Sequence, residues 1–193
     1  SAYAPITFDG IKPLSFLSID GSKEVGVEIH SLSKAFNMTG WRLAFIAGNP
    51  DIIKIYGVVK GNSDSGQFRA IQKSGAYALN HPEIFKENCK RYSRRFDLLI
   101  GALKDIGFQV EKPKATFYCY VPIPKGTKSG IVFKDAEDFS LFLLNKAYIC
   151  TVPWNTPEPY VRFSVTFEAK DISEEKEIIN ELKQRILNLE LIF

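Results

Sequence analysis

Residues 25–47 constrain this chain more than any other stretch. Val25, Val27 and Ile29 alternate with Gly26, Glu28 and His30, the period of a strand with one apolar side. The strand runs straight into Ser31, Leu32, Ser33 and Lys34. Past Gly40, residues 41–47 are apolar except for Arg42, which predicts a strand buried on both faces.

The rest of the chain supplies the helices. Asn49 followed by Pro50 is a helix start, an N-cap and a proline at the first helical position, and that helix is expected to end near Gly57. Residues 61–66, GNSDSG, read as a polar loop, and a helix follows over about 67–79. A longer helix is predicted over about 82–104, with Phe85, Tyr92, Phe96, Leu99 and Leu103 on one face. Beyond Gly107 the texture is α+β. Phe117, Cys119 and Val121 alternate along a strand, residues 136–146 form a helix capped by Asp135 and Asp138, and residues 148–152 form a short strand. Val161, Phe163, Val165 and Phe167 face one way on another strand, with Arg162, Ser164 and Thr166 facing the other. Asp171 and Glu174 make a capping box ahead of a final helix. A helix as long as 82–104 often bridges two parts of a protein.

Composition narrows the function by exclusion. A net charge of +3 with dispersed cations does not suit nucleic acid or a membrane surface. Cys89, Cys119 and Cys150 are odd in number and far apart, and with His30 and His81 they make no metal-ligand pattern. Reduced thiols and the lack of a long apolar run predict a cytoplasmic protein. The chain opens on Ser1, Ala2, Tyr3 and Ala4 with no methionine, and is expected to be a fragment of something longer.

Chemistry concentrates in residues 31–43, SLSKAFNMTGWRL. Hydroxyls flank Lys34, and Arg42 interrupts an apolar run where a bare charge is costly. An arginine in that setting wants an anion, and phosphate is its natural bidentate partner, although a structural ion pair would also hold it. Ser31 can donate to the same anion, whereas Ser33 could serve the turn alone. A primary amine in a desolvated pocket is a usable nucleophile towards an aldehyde. Together these residues describe a phosphate-bearing carbonyl compound bound through Lys34. Arg69, Arg91, Arg94 and Arg95 read as solvated helix charges, and His30 as a packed strand residue.

This segment resembles the pyridoxal 5′-phosphate attachment site of the class I/II, fold-type-I aminotransferases, roughly S-x-S-K-x-[FY]-x-M-x-G-W-R-[LIV]. The resemblance extends to both ends of the chain. Ser1, Ala2 and Tyr3 look like the tail of the family's D-x-A-Y motif, and residues 160–164, YVRFS, look like the strand whose arginine grips the substrate. Residues 65–72 and 151–154 are most similar to LL-diaminopimelate- and aspartate-type members.

The resemblance implies the architecture and the roles: a C-terminal fragment with an α/β fold, in which residues 1–92 are the later part of a large α/β domain and residues 93–193 a small α+β domain, joined by the long helix. Lys34 carries the cofactor as a Schiff base and moves a proton during the reaction. Tyr3 donates to the cofactor's phenolic oxygen, Ser31, Ser33 and Arg42 gather round its phosphate, and Arg162 pairs with the substrate carboxylate. The activity implied is transfer of an amino group between an amino acid, of glutamate, aspartate or LL-diaminopimelate type, and a 2-oxo acid, in a homodimer of the whole protein. A lyase on the same scaffold and a non-catalytic cofactor-sensing regulator are the alternatives. The family's pyridine-nitrogen aspartate would precede Ser1, so these residues alone are not expected to turn over. The loop at 154–159, WNTPEP, departs from the family's usual glycine-rich stretch.

Overall fold

The computed structural model describes residues 1–193 and divides into two compact units. The first holds residues 1–90 and 114–116, the second residues 91–113 and 117–193.

In the first unit a single helical turn, α1 (Ser22–Val25), leads into β1 (Val27–Ser31). That strand pairs antiparallel with β2 (Ala44–Gly48), with Ile29 opposite Ile46 and Ser31 opposite Ala44. A bond of 3.1 Å from the Leu32 amide to the Leu43 carbonyl carries the ladder one residue further. Then come α2 (Pro50–Ser63), α3 (Arg69–Leu79) and the start of α4 (Glu83–Ile106). Leu32, Met38, Leu43 and Ala78 form a buried cluster, with Phe36, Ile71 and Ile84 packed on it. Most of those anchors come from the link between the strands, so burying them fixes that link as well as the core.

Gly75 on α3 allows this packing, because a Cβ there would run into the Leu43 side chain and press on Leu32. Gly75→Ala is therefore expected to destabilise the unit by about 1–3 kcal/mol through overpacking, although alanine is the better helix former. Thermal unfolding would read this directly, and a raised melting temperature would contradict it.

Two expectations about the strands fail. Trp41 and Phe45 are 44% and 38% exposed, so residues 41–47 are not covered on both faces. Trp41 ends a 3₁₀ turn (Thr39–Trp41), Arg42 follows it ahead of β2, and the sheet itself has only two strands. The buried side of β1 is also not its apolar side. Ile29 is 59% exposed, whereas Glu28 is buried. The Glu28 carboxylate is fully engaged: the Ser15 hydroxyl donates at 2.8 Å, the Phe16 amide at 2.7 Å, and His30 Nε2 lies at 3.1 Å. Those bonds, the Ser15 hydroxyl foremost, hold its carboxyl below the usual range. The His30 ring stacks on Phe45, centroids 5.0 Å apart.

Helix α2 starts where predicted, with the Asn49 side chain accepting from the Asp51 and Ile52 amides at 2.9 and 3.0 Å. It does not stop near Gly57 but continues to Ser63, which shortens the expected loop to residues 64–68. Interior glycines cost about 1 kcal/mol each, and local bonds offset this. Lys60 Nζ meets Asp64 Oδ2 at 2.6 Å, and Ser63 Oγ bonds the Val59 carbonyl at 2.7 Å.

In the second unit β3 (Tyr118–Pro122), β6 (Tyr160–Ser164) and β5 (Val152–Trp154) form an antiparallel sheet in the order β3-β6-β5. Cys119, Val121, Val161, Phe163 and Val165 are buried along one side, as their alternation predicts. Helix α5 (Ala136–Ala147) packs on β5 and β6 and contacts α6 (Ile172–Leu187). Asp135 and Asp171 cap them, each accepting at 2.9 Å from the amide three residues on. A short pair, β4 (Gly126–Thr127) with β7 (Leu191–Ile192), completes the unit. The strand expected at 148–152 starts only at Val152, because Tyr148 takes the left-handed conformation that closes α5. No helix of either unit is long and apolar enough to cross a membrane.

Candidate active site

Lys34 lies in a turn tied down from several directions. On its N-terminal side, Ser31 Oγ accepts from the Ser33 amide at 3.1 Å, and the Ser33 carbonyl accepts from Thr39 Oγ1 at 2.9 Å. On its C-terminal side, Asn88 Nδ2 donates to the Ala35 carbonyl at 2.9 Å. Leu32, Ala35 and Met38 are buried beneath, while Lys34 is only half-buried. The apolar residues thus root the turn and leave the lysine on its more open side. Asn37 adopts a positive φ of 56°, a conformation that asparagine tolerates well.

Arg42 is not buried, contrary to its expected place inside an apolar strand. It is an exposed residue at φ 52° and ψ 49°, where the 3₁₀ turn hands over to β2. That conformation turns the chain, and two bonds stabilise it. Arg42 Nη1 donates to the Thr39 carbonyl at 2.8 Å, and the Gln67 side-chain amide donates to the Arg42 carbonyl. Since Leu32 pairs with Leu43 and Ser31 with Ala44, Arg42 follows directly from the ladder that holds Ser31. The structure therefore brings Ser31, Ser33, Lys34 and Arg42 onto one turn. Tyr3 belongs to the segment beside it: the Ser1 nitrogen donates to the Ile29 carbonyl at 2.8 Å, and the Tyr3 carbonyl accepts from the Ile6 amide at 2.9 Å.

Arg162 belongs to the second unit. It stands on the central strand, opposite Tyr120 of β3 and Val152 of β5. Its guanidinium carbon lies 4.0 Å from the centre of the Tyr118 ring, a cation–π contact. Its Nε is buried with no hydrogen-bond partner. Leaving such a donor unmet costs about 1–3 kcal/mol, and an in-plane carboxylate would remove that cost.

Arg94 and Arg95 are not the solvated charges that their helix suggests. Glu175 of α6 accepts from Arg94 Nε at 2.8 Å and Nη2 at 2.9 Å, and from Arg95 Nε at 2.8 Å. Arg95 Nη1 also donates to the Val165 and Phe167 carbonyls at 3.0 and 2.5 Å, which fixes the chain just past β6. These residues, with Thr39, Gln67 and Asn88, escape a motif reading. Asn88 had one available signal, since it falls between Phe85 and Tyr92 on the apolar face of α4, where a polar residue is out of place.

The donor set suits an anion and an aldehyde. An amine, two serine hydroxyls and a guanidinium share one turn, and none of these groups is a carboxylate that would repel phosphate. The chemistry of the set is compatible with pyridoxal 5′-phosphate: Lys34 could take its aldehyde, and Ser31, Ser33 and Arg42 could take its phosphate. Cysteine chemistry does not compete at Cys119, where burial pushes the thiol up to about 12.

Comparison with known proteins agrees with this setting. The profile of the family described as "Aminotransferase class I and II" matches residues 1–178. The chain is 50% identical over 198 residues to the LL-diaminopimelate aminotransferase of Methanococcus maripaludis, covering 100% of this chain and 47% of that protein. It is 50% identical over 202 residues to the enzyme of the same name from Methanocaldococcus jannaschii, covering 100% and 48%. The chain thus spans about half the length of the curated relatives it matches. Among solved structures, substrate-bound BacF from Bacillus subtilis superposes with a TM-score of 0.85 at 33% identity, over 100% of this chain and 47% of that one. The aspartate aminotransferase of Rhizobium meliloti gives a TM-score of 0.84 at 28% identity, over 98% and 48%. With a family match over nearly its whole length, this chain belongs to the class I and II aminotransferases.

Proposed function

We propose that the whole protein is a pyridoxal-phosphate-dependent aminotransferase that moves an amino group from an amino acid to a 2-oxo acid. The observation that carries the reading is the tied turn holding Lys34 beside Ser31, Ser33 and Arg42. When bound, pyridoxal phosphate supplies an aldehyde that condenses with amines and a ring that accepts the electron pair of the broken Cα–H bond. The chain's own residues do the rest. Lys34 would hold the cofactor by its aldehyde, and Nζ would take the proton from the substrate Cα and deliver it to the cofactor's C4′. Ser31, Ser33 and Arg42 hold the phosphate, and Tyr3 donates to the phenolic oxygen.

We assign Arg162 to the substrate α-carboxylate, because its buried Nε has no partner within the chain. Arg162→Gln is expected to raise the KM for both amino acid and 2-oxo acid by about 10- to 100-fold, the loss of one or two charged hydrogen bonds. Steady-state kinetics with both substrates would check it, and an unchanged KM would remove Arg162 from the site.

The relatives' printed names make LL-diaminopimelate the first donor to try, and 2-oxoglutarate is the acceptor to pair with it. We further place the whole protein in the cytoplasm as a homodimer. Free Cys89, Cys119 and Cys150 suit a reducing compartment, and the exposed Ile55, Tyr56, Val58 and Val59 of α2 offer apolar surface to cover. The test of the activity is a product assay. Loss of amino acid should require the 2-oxo acid and yield the matching new amino acid. Release of ammonia and pyruvate without an acceptor would make the protein a lyase instead.

A further inference from the structure

We propose that Asn88 is a positioning residue for Lys34, holding the turn so that the amine keeps a fixed place. This rests on the reading of Lys34 given above. Asn88 is 4% exposed and occupies the apolar face of α4 at helical spacing from Phe85 and Tyr92. A leucine would satisfy the packing there, whereas a buried amide costs free energy unless its bonds are made.

The amide makes both bonds to the turn and to no other segment. Its Nδ2 donates to the Ala35 carbonyl at 2.9 Å, and its Oδ1 accepts from Asn37 Nδ2 at 3.2 Å. Since a carbonyl only accepts, the Ala35 bond settles which end of the amide faces the turn. The residue after Lys34 is thereby fixed to α4. The residue before it is fixed by Thr39 Oγ1 on the Ser33 carbonyl at 2.9 Å. Between two pinned carbonyls the backbone of Lys34 has little freedom, and only its flexible stem remains to be ordered. A proton-transferring group needs that restriction, because displacement by about 1 Å can cost about 10²-fold in rate.

The test uses the full-length protein loaded with pyridoxal phosphate. Asn88→Leu removes both bonds at similar volume. Asn88→Asp keeps the acceptor for Asn37 but sets a carboxylate oxygen against the Ala35 carbonyl. In both variants borohydride should still attach the cofactor to Lys34, and KM should stay within about twofold while kcat falls about 10- to 100-fold. The visible circular dichroism of the attached cofactor, which reports how rigidly the link is held, should fall by about half. Should neither variant fold, Asn37→Gly keeps the positive φ and removes only the outer bond, and about a threefold fall in kcat with a weaker dichroic band is expected. Wild-type kcat and dichroism in a folded variant would overturn the role of Asn88 while leaving Lys34 in place. A wild-type protein whose label lies elsewhere would overturn both.

Discussion

Lys34→Ala in the full-length protein is expected to lower kcat by roughly 10⁴-fold, the upper range for loss of a positioned acid–base group. The loss should exceed that of any other single substitution, because one amine both anchors the cofactor and moves the proton. Stability should change little. The turn is rooted by Leu32, Ala35 and Met38, which are 2%, 0% and 7% exposed, and its tethers run from Ser31, Thr39 and Asn88. A change at the half-buried lysine should stay within about 0.5 kcal/mol. Lys34→Arg serves as the companion: it keeps a positive charge but replaces a nucleophilic amine by an inert guanidinium, so it should lose as much activity. A rate within tenfold of wild type in either variant would assign the chemistry to another residue.

The second large effect is on stability. Glu175→Gln is expected to destabilise the second unit by about 3–5 kcal/mol, the usual result of breaking a buried ion pair by removing one partner. Glu175 and Arg95 are 4% and 6% exposed in their side chains, so Arg95 would stay buried without a counter-charge, among the Val165 and Phe167 carbonyls, the Phe167 ring and a neutral glutamine oxygen. Bonding to Arg94, with Arg95 in support, holds the Glu175 carboxyl at about 2 against an ordinary value of 4.5. A depressed folded-state value means that the unfolded chain takes up the proton first as the pH falls. The contribution is complete above about pH 4.5 and drains away as the pH drops towards 2. Urea unfolding at several pH values would show this slope in wild type, and Glu175→Gln should flatten it. An equal slope in both proteins would mean that Glu175 is not the group responsible.

What could be read from the sequence follows the range of the forces involved. The alternation of Val161, Phe163 and Val165 and the caps Asp135, Asp171 and Asn49 report local geometry, and each stands where its pattern puts it. The α/β character follows from such elements. Burial is less local. Ile29 and Phe45 carry the side chains of a covered strand, yet both are exposed, on opposite faces of a sheet of only two strands. Glu28 looks like a solvent-facing charge and is buried, because Ser15 and Phe16 fold back to meet it.

The candidate site shows the same division. Ser31, Ser33, Lys34 and Arg42 are near one another in sequence, and a short rooted turn keeps them near in space. Their supports come from far along the chain, Gln67 before α3 and Asn88 on α4, and only Asn88 carries a local sign, as a polar residue on an apolar helix face. Arg42 also reaches its place by a left-handed turn rather than by lying in a strand, a conformation that its residue type does not announce.

The most direct measurement is chemical. The full-length protein, loaded with pyridoxal 5′-phosphate, is reduced with borohydride, digested, and its peptides are mapped by mass. The account predicts a single reduced adduct on Lys34, lost in Lys34→Ala. An adduct on a different lysine, with Lys34 unmodified, would contradict it.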